Sequence, residues 1–186
     1  MGNKRVFIAV DISDEARRWA AAYIDDLTRA FPKSGIRWVP PENMHLTLRF
    51  LGDTPEERIP MIAAELSRLV RDVEPITVAT GENASFGGRV LVIKIDDPDR
   101  KLADLKGRIE SVCCKSGLEP ETRKFDPHLT LARIKRPGAA PELAAKHKNS
   151  RIEPVESTIR EIVIYESRLD PRGARYIPLH RIPLKA

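Results

Sequence analysis

The tetrapeptide His-Leu-Thr-Leu occurs twice, at His45–Leu48 and again at His128–Leu131, an offset of 83 positions. At average residue frequencies a given tetrapeptide arises at roughly one position in 100,000, so a chance copy in a chain of this length is about a one-in-500 event. The surroundings repeat with it. The apolar run Val6–Val10 returns as Val90–Ile95, an offset of 84, so each tetrapeptide stands at the same place in its half of the chain. Matching offsets mark one structural unit written twice.

The local patterns give that unit its elements. Val6–Val10 is five apolar, mostly β-favouring residues in a row, a buried strand that Asp11 ends. Ser13 can cap a helix whose stripe is Ala16, Trp19, Ala20, Tyr23, Ile24 and Leu27, running to about Phe31 and closed by Pro32 and Gly35. A short strand is expected at Ile36–Val39, the motif strand at His45–Leu51, and a turn at Gly52–Pro55. A second helix over Pro55–Val73 and a strand at Ile76–Thr80 complete the first half. The second half restarts with a strand at Val90–Ile95, a helix over Pro98–Ser116 stopped by Gly117, and the motif strand His128–Ile134. A turn at Pro137-Gly138, a helix over Pro141–Lys148 and a strand at Val155–Ser157 follow. Two further strands, Ile162–Tyr165 and Arg175–Leu179, flank a hairpin turn at Pro171-Arg172-Gly173. The expectation is an α+β fold of two β-α-β-β-α-β-like lobes, pseudo-symmetric around a central cleft, within one domain spanning residues 1–186. The repeat covers approximately residues 5–80 and 89–157, with C-terminal strands over 160–180.

Composition narrows the partners. The 186 residues are 41% hydrophobic, enough for a core, and 32% charged with both signs interspersed, which excludes wholesale disorder. The net charge of +5 suits a polyanion such as nucleic acid. Cys113 and Cys114 are adjacent in an expected helix, which fits reduced thiols rather than a disulfide or a metal pair. No apolar run approaches the ~18 residues of a membrane span, and Val6–Val10 is too short for a signal peptide. A cytoplasmic monomer with no membrane partner is expected.

In a strand, residues two apart share a face, so His45 and Thr47 point one way while Leu46 and Leu48 bury the other, and His128, Thr130, Leu129 and Leu131 do the same. Each motif then offers an imidazole and a hydroxyl about 6–7 Å apart. If the halves face each other across a groove, the two pairs converge. Imidazole titrates near neutral pH, so one His can act as base and the other as acid, which is what cleavage of a phosphodiester needs. The Thr hydroxyls can hold the non-bridging phosphate oxygens. This scheme requires no metal and no cofactor, and no dense His/Asp/Glu ligand cluster adjoins either motif. Arg133 would suit a phosphate, yet it lies five positions past His128, an odd offset that needs a bulge, a strand end or the length of its side chain. Phe50, and Trp38 and Phe125 just ahead of the motif strands, are candidates for base stacking, and Phe7 belongs to the core. Arg133-Ile134-Lys135-Arg136 could track an RNA backbone. His147, between Lys146 and Lys148 on an expected surface helix, and His180 near the tail are bystanders. No GxxxxGK[ST] or GxGxxG loop supports a nucleotide-triphosphate or dinucleotide fold.

Taken together, Arg5–Val10, Trp38, Asn43–Gly52, Phe125–Arg133 and Tyr165-Glu166-Ser167 resemble the 2H phosphoesterases, a family named for two HxTx motifs. Within it the chain is similar to the bacterial and archaeal RNA 2',3'-cyclic phosphodiesterases, also called 2'-5' RNA ligases. The resemblance spans essentially the whole chain, with one departure at Asp126, where the family more often has a less acidic residue. It implies a bilobal α+β fold with a basic groove and metal-independent hydrolysis of an RNA 2',3'-cyclic phosphate end to a 2'-phosphate. It makes His45 the proton donor to the departing 3' oxygen and His128 the proton acceptor that activates water. Thr47, Thr130 and Arg133 bind the phosphate. The symmetry of the two motifs does not itself decide which imidazole is the acid. Two other readings share these residues: a 2'-5' ligase acting on tRNA halves, and a non-catalytic module that binds RNA ends.

Overall fold

A computed structural model of the protein describes residues 2–32, 35–135, 140–170 and 173–185. Nine strands and four helices follow the chain: β1 (Asn3–Asp11), α1 (Asp14–Ala30), β2 (Ile36–Trp38), β3 (His45–Pro55), α2 (Arg58–Val70), β4 (Ile76–Phe86), β5 (Val90–Asp96), α3 (Lys101–Lys115), β6 (His128–Ile134), α4 (Pro141–Asn149), β7 (Glu156–Ile159), β8 (Glu161–Asp170) and β9 (Gly173–Pro183). The expected turn at Pro137-Gly138, Arg136 of the basic run, and Pro171-Arg172 of the hairpin lie outside the described residues.

The α+β class holds. The strands form one antiparallel sheet in the order β7-β4-β5-β6-β3-β1-β8-β9, with β2 paired to β6, and the sheet curls into a half-barrel. The halves join edge to edge, where Leu46 of β3 pairs with Leu129 of β6. The two tetrapeptides therefore stand side by side at the centre of the sheet rather than on opposing walls. The second half also lacks a counterpart of β2 between α3 and β6 among the described residues.

One face of the sheet carries the core. Val6, Ile8 and Val10 of β1, Leu46 and Leu48 of β3, Ile93 and Ile95 of β5 and Leu129 and Leu131 of β6 pack there. Ala16, Ala20 and Ile24 of α1, Ile59, Ile62 and Leu66 of α2, and Leu102, Leu105 and Ile109 of α3 cover them. Each fully buried Leu or Ile contributes about 1.5–3 kcal/mol of transfer free energy. Helix α1 starts at a capped turn. The Ser13 hydroxyl accepts from the Ala16 N–H at 3.1 Å, and Asp14 and Glu15 sit in the positive first turn of α1.

Several boundaries differ from expectation by a few residues, and at the ends of β3 and β4 the reason is that strand pairing overrides local turn signals. The expected turn at Gly52–Pro55 is the end of β3, which stays paired to β1 as far as Pro55 opposite Asn3. Gly52 takes φ +72° at an irregularity beside Leu51, a backbone that suits glycine. Strand β4 runs on past Thr80 to Phe86 and turns into β5 through Gly87 and Gly88, both at positive φ. Among the described residues, no helix is long and apolar enough to cross a membrane.

Candidate active site

The face of the sheet opposite the helices carries the polar half of each motif. Leu46 pairs with Leu129, and one step either way in that antiparallel register sets His45 beside Thr130 and Thr47 beside His128. The two imidazoles and two hydroxyls thus alternate in a square across the seam, related by a local twofold.

Both rings are held alike. His45 Nδ1 lies 2.8 Å from the Asn43 carbonyl oxygen, and His128 Nδ1 lies 2.7 Å from that of Asp126. A carbonyl only accepts, so each Nδ1 carries the hydrogen and each Nε2 faces the site. His45 Nε2 is 3.0 Å from Thr47 Oγ1 and accepts from the hydroxyl while the ring is neutral.

The surroundings break the symmetry. His45 is walled by Phe7 at 4.9 Å, Tyr176 edge-on at 5.1 Å and Tyr165 at 6.1 Å between ring centres. This burial pushes its pKa down to about 4, against the Asn43 carbonyl and the Asp11 carboxylate, which favour the imidazolium; Arg17 and His128 push it lower still. Asp11 is the residue opposite His45 in the ladder, and it accepts from the Tyr165 hydroxyl at 2.7 Å. Among the described residues one ring meets His128, Phe86, edge-on at 4.8 Å, with the Lys94 ammonium 5.0 Å from the Phe86 centre. Lys94 is the residue opposite His128 in its ladder, and it is ion-paired to Asp126. A carboxylate thus flanks one imidazole, and a paired lysine flanks the other.

Arg133 reaches the site face by the bulge that its odd offset demands. The register between β5 and β6 steps from Leu91 opposite Ala132 to Val92 opposite Thr130, so Leu131 is the extra residue. Between β1 and β3 it steps from Ile8 opposite Arg49 to Ala9 opposite Thr47, so Leu48 is the extra residue. Each bulge falls three positions after its His. The burial sequence over the first seven residues is the same in both strands, and it leaves Phe50 and Arg133 exposed in equivalent places. Because β3 and β6 run antiparallel, Phe50 and Arg133 extend the His/Thr square at opposite ends.

Of the stacking candidates, Phe50 lies at an end of the square, and Trp38 and Phe125 do not join it. Trp38 pairs with Ala132 on the helix side and packs with Ile36 into the apolar cluster around Leu143, and Phe125 packs against the main core. Proximity in sequence placed them near the motifs, and the pleat turned Trp38 away. His147 is not on the surface either. It is fully buried, donating from Nε2 to the Val92 carbonyl at 2.9 Å while Nδ1 accepts from the Tyr23 hydroxyl at 3.0 Å. Its place away from the site stands. Phe7 is buried as expected but belongs to the site-face cluster with Ala9, Val163 and Tyr165. Local sequence patterns do not place Phe86, Tyr165 and Tyr176 beside the histidines. Gly87-Gly88 is the hairpin signal that would have brought Phe86 alongside.

Comparison with known proteins decides the family. The family model described as the 2'-5' RNA ligase superfamily matches residues 13–171. The chain belongs to this superfamily. A superfamily relative from Thermotoga maritima, named RNA 2',3'-cyclic phosphodiesterase, is 33% identical over 95% of this chain and 93% of its own. One of the same name from Methanothermobacter thermautotrophicus is 29% identical over 92% of this chain and 94% of its own. Among solved structures, E. coli LigT complexed with 3'-AMP superposes with a TM-score of 0.78 at 26% identity, covering 99% of both chains.

Proposed function

We propose that this protein hydrolyses the 2',3'-cyclic phosphodiester at the end of RNA to a 2'-phosphomonoester. The observation that carries the reading is the square of two Nε2 atoms and two Thr hydroxyls on one sheet face, with each Nδ1 fixed by a backbone carbonyl. The relatives' shared name and the LigT complex with 3'-AMP support it.

In this scheme His128 Nε2 takes a proton from water as the water oxygen bonds to phosphorus. The P–O3' bond breaks, and His45 Nε2 gives its proton to O3'. Thr47, Thr130 and Arg133 hold the non-bridging oxygens, where charge builds. His45 is neutral at pH 7 in the free protein, since its pKa is about 4. A phosphodiester anion beside its Nε2 favours the imidazolium as the Asp11 carboxylate does, so substrate binding raises the pKa of the donor. RNA in the cytoplasm, cleaved tRNA included, would present such ends.

The test is an oligonucleotide with a cyclic-phosphate end, incubated in EDTA and followed by mass and by comparison with 2'- and 3'-phosphate standards. The expected product is one water heavier and carries a 2'-phosphate. His45→Ala and His128→Ala should each lower the rate by about 10²–10⁴-fold. Full activity in either variant sinks the proposal, and joined strands from cleaved tRNA would assign the ligase reaction instead.

A further inference from the structure

Arg37 of β2 lies directly opposite Arg133 of β6, so the two side chains project from the same face, the face of the histidines. Arg89 is exposed at the adjoining hairpin turn, and its carbonyl accepts from the Ile134 N–H at 2.7 Å. Arg37 and Arg133 are exposed as well. Among the described residues no carboxylate pairs with any of the three. Like charges directly opposite in a ladder are destabilising. Other arginines of the sheet strands are neutralised, Arg49 by Glu110, Arg168 by Glu166 and Arg181 by Asp11, whereas Arg37 and Arg133 face one another. An uncompensated arginine pair at the end of the His/Thr square calls for an anion from outside.

We propose that Arg37 binds the phosphodiester that precedes the cyclic end, so that the RNA strand leaves the site over β6 and β2. This rests on the proposed function. A cyclic phosphate occupies the 3' end, so every other phosphate of the strand lies on its 5' side. Arg133 stands three positions past Thr130, about 10 Å along the strand, and its side chain can lean back to the terminal phosphate. Arg37, across the ladder from it, stays available for the next one. The other two exits fit a polyanion poorly. At the opposite end of the square stands Phe50, apolar and half exposed. Beyond Lys94, itself paired to Asp126, a cavity of about 510 Å³ is lined by Glu82, Asp96 and Asp126, whose carboxylates repel phosphate. The arginine pair predicts a preference for a strand over a mononucleotide.

The experiment compares two substrates, a mononucleoside 2',3'-cyclic phosphate and a short RNA with the same terminal nucleotide. Arg37→Ala should raise KM for the RNA about tenfold, leave its kcat unchanged, and leave the mononucleotide untouched; Arg37→Lys should restore most of the loss. The slope of log affinity against log salt for the RNA should fall by about 0.7, one single-strand phosphate contact. Equal effects on both substrates, or none on either, overturn the proposal. A second arm is independent of turnover: binding of an RNA with a plain 3'-phosphate end, measured by anisotropy. There Arg37→Ala should weaken binding about tenfold, and unchanged binding overturns the track. If the RNA binds through Arg37 but no cyclic phosphate is hydrolysed, the proposed reaction fails and the track stands.

Discussion

At the scale of single residues, His45 carries the strongest consequence. Its pKa is about 4 in the folded protein because its ring is buried among Phe7, Tyr165 and Tyr176, against about 6.5 in the unfolded chain. Between those values the unfolded chain takes up a proton that the native state refuses. This group's stability is therefore complete above pH 6.5 and is lost as pH falls toward 4. Over that window the loss approaches about 3 kcal/mol. Urea unfolding at pH 7 and pH 4.5 should show the wild type losing about 2–3 kcal/mol more than His45→Gln. Equal losses would mean that the ring is hydrated. The histidines and threonines were legible in the sequence because a doubled word at one offset leaves little room for chance. The rings around them were not. Phe86 reaches His128 from β4, and Tyr165 and Tyr176 reach His45 from β8 and β9, through pairings more than 40 residues apart in sequence. No local pattern encodes such neighbours.

At the scale of elements, the bulge after each histidine decides what the motif strands present. It turns Phe50 and Arg133 to the site and their neighbours Arg49 and Ala132 to the core. A period-two reading supplies the faces up to the bulge and inverts them beyond it, which is why Arg133 was legible as a candidate but not as a placement. Ala132 fits the core as it is. Arg49 needs partners, and α3 and the loop after it supply them. Its Nε lies 2.9 Å from Glu110 Oε2, its Nη1 lies 3.6 Å from Glu121, and its guanidinium donates to the Glu119 carbonyl. Arg49→Ala therefore strands a half-buried carboxylate as well as leaving a void. Glu110 keeps Lys106 at 2.8 Å, so the cost sits at or below the low end for breaking a buried pair, about 2–3 kcal/mol. In a chain of this size that is about 5–10 °C of melting temperature by calorimetry. A drop under 2 °C would show that Lys106 alone satisfies Glu110.

At the scale of the whole molecule, the sheet reads alike from either side of the β3–β6 seam: β3-β1-β8 one way, β6-β5-β4 the other. The registers match too. Val6 opposes Glu166 as Val90 opposes Phe86, and Ala9 opposes Val163 as Ile93 opposes Asn83, a constant offset of 80 between β4 and β8. We infer that β4 and β8 are equivalent and that each closes onto the first strand of the other half. The strands after residue 160 then belong to the second repeat rather than standing as an appendix to it. Sequence periodicity hid this because β8 is apolar on both faces while β4 alternates. Removing residues 161–186 should therefore remove the fold. Ile162, Val163, Ile164 and Tyr165 are buried, and four such side chains amount to about 6–12 kcal/mol, comparable to the whole stability of a domain. The same cut leaves β1 as a bare edge and strips two rings from His45. A chain ending at Arg160 should show no cooperative thermal transition, while one ending at Leu184 keeps all nine strands and should melt sharply. Cooperative melting of the shorter chain would show that β8 is dispensable, and with it the equivalence to β4.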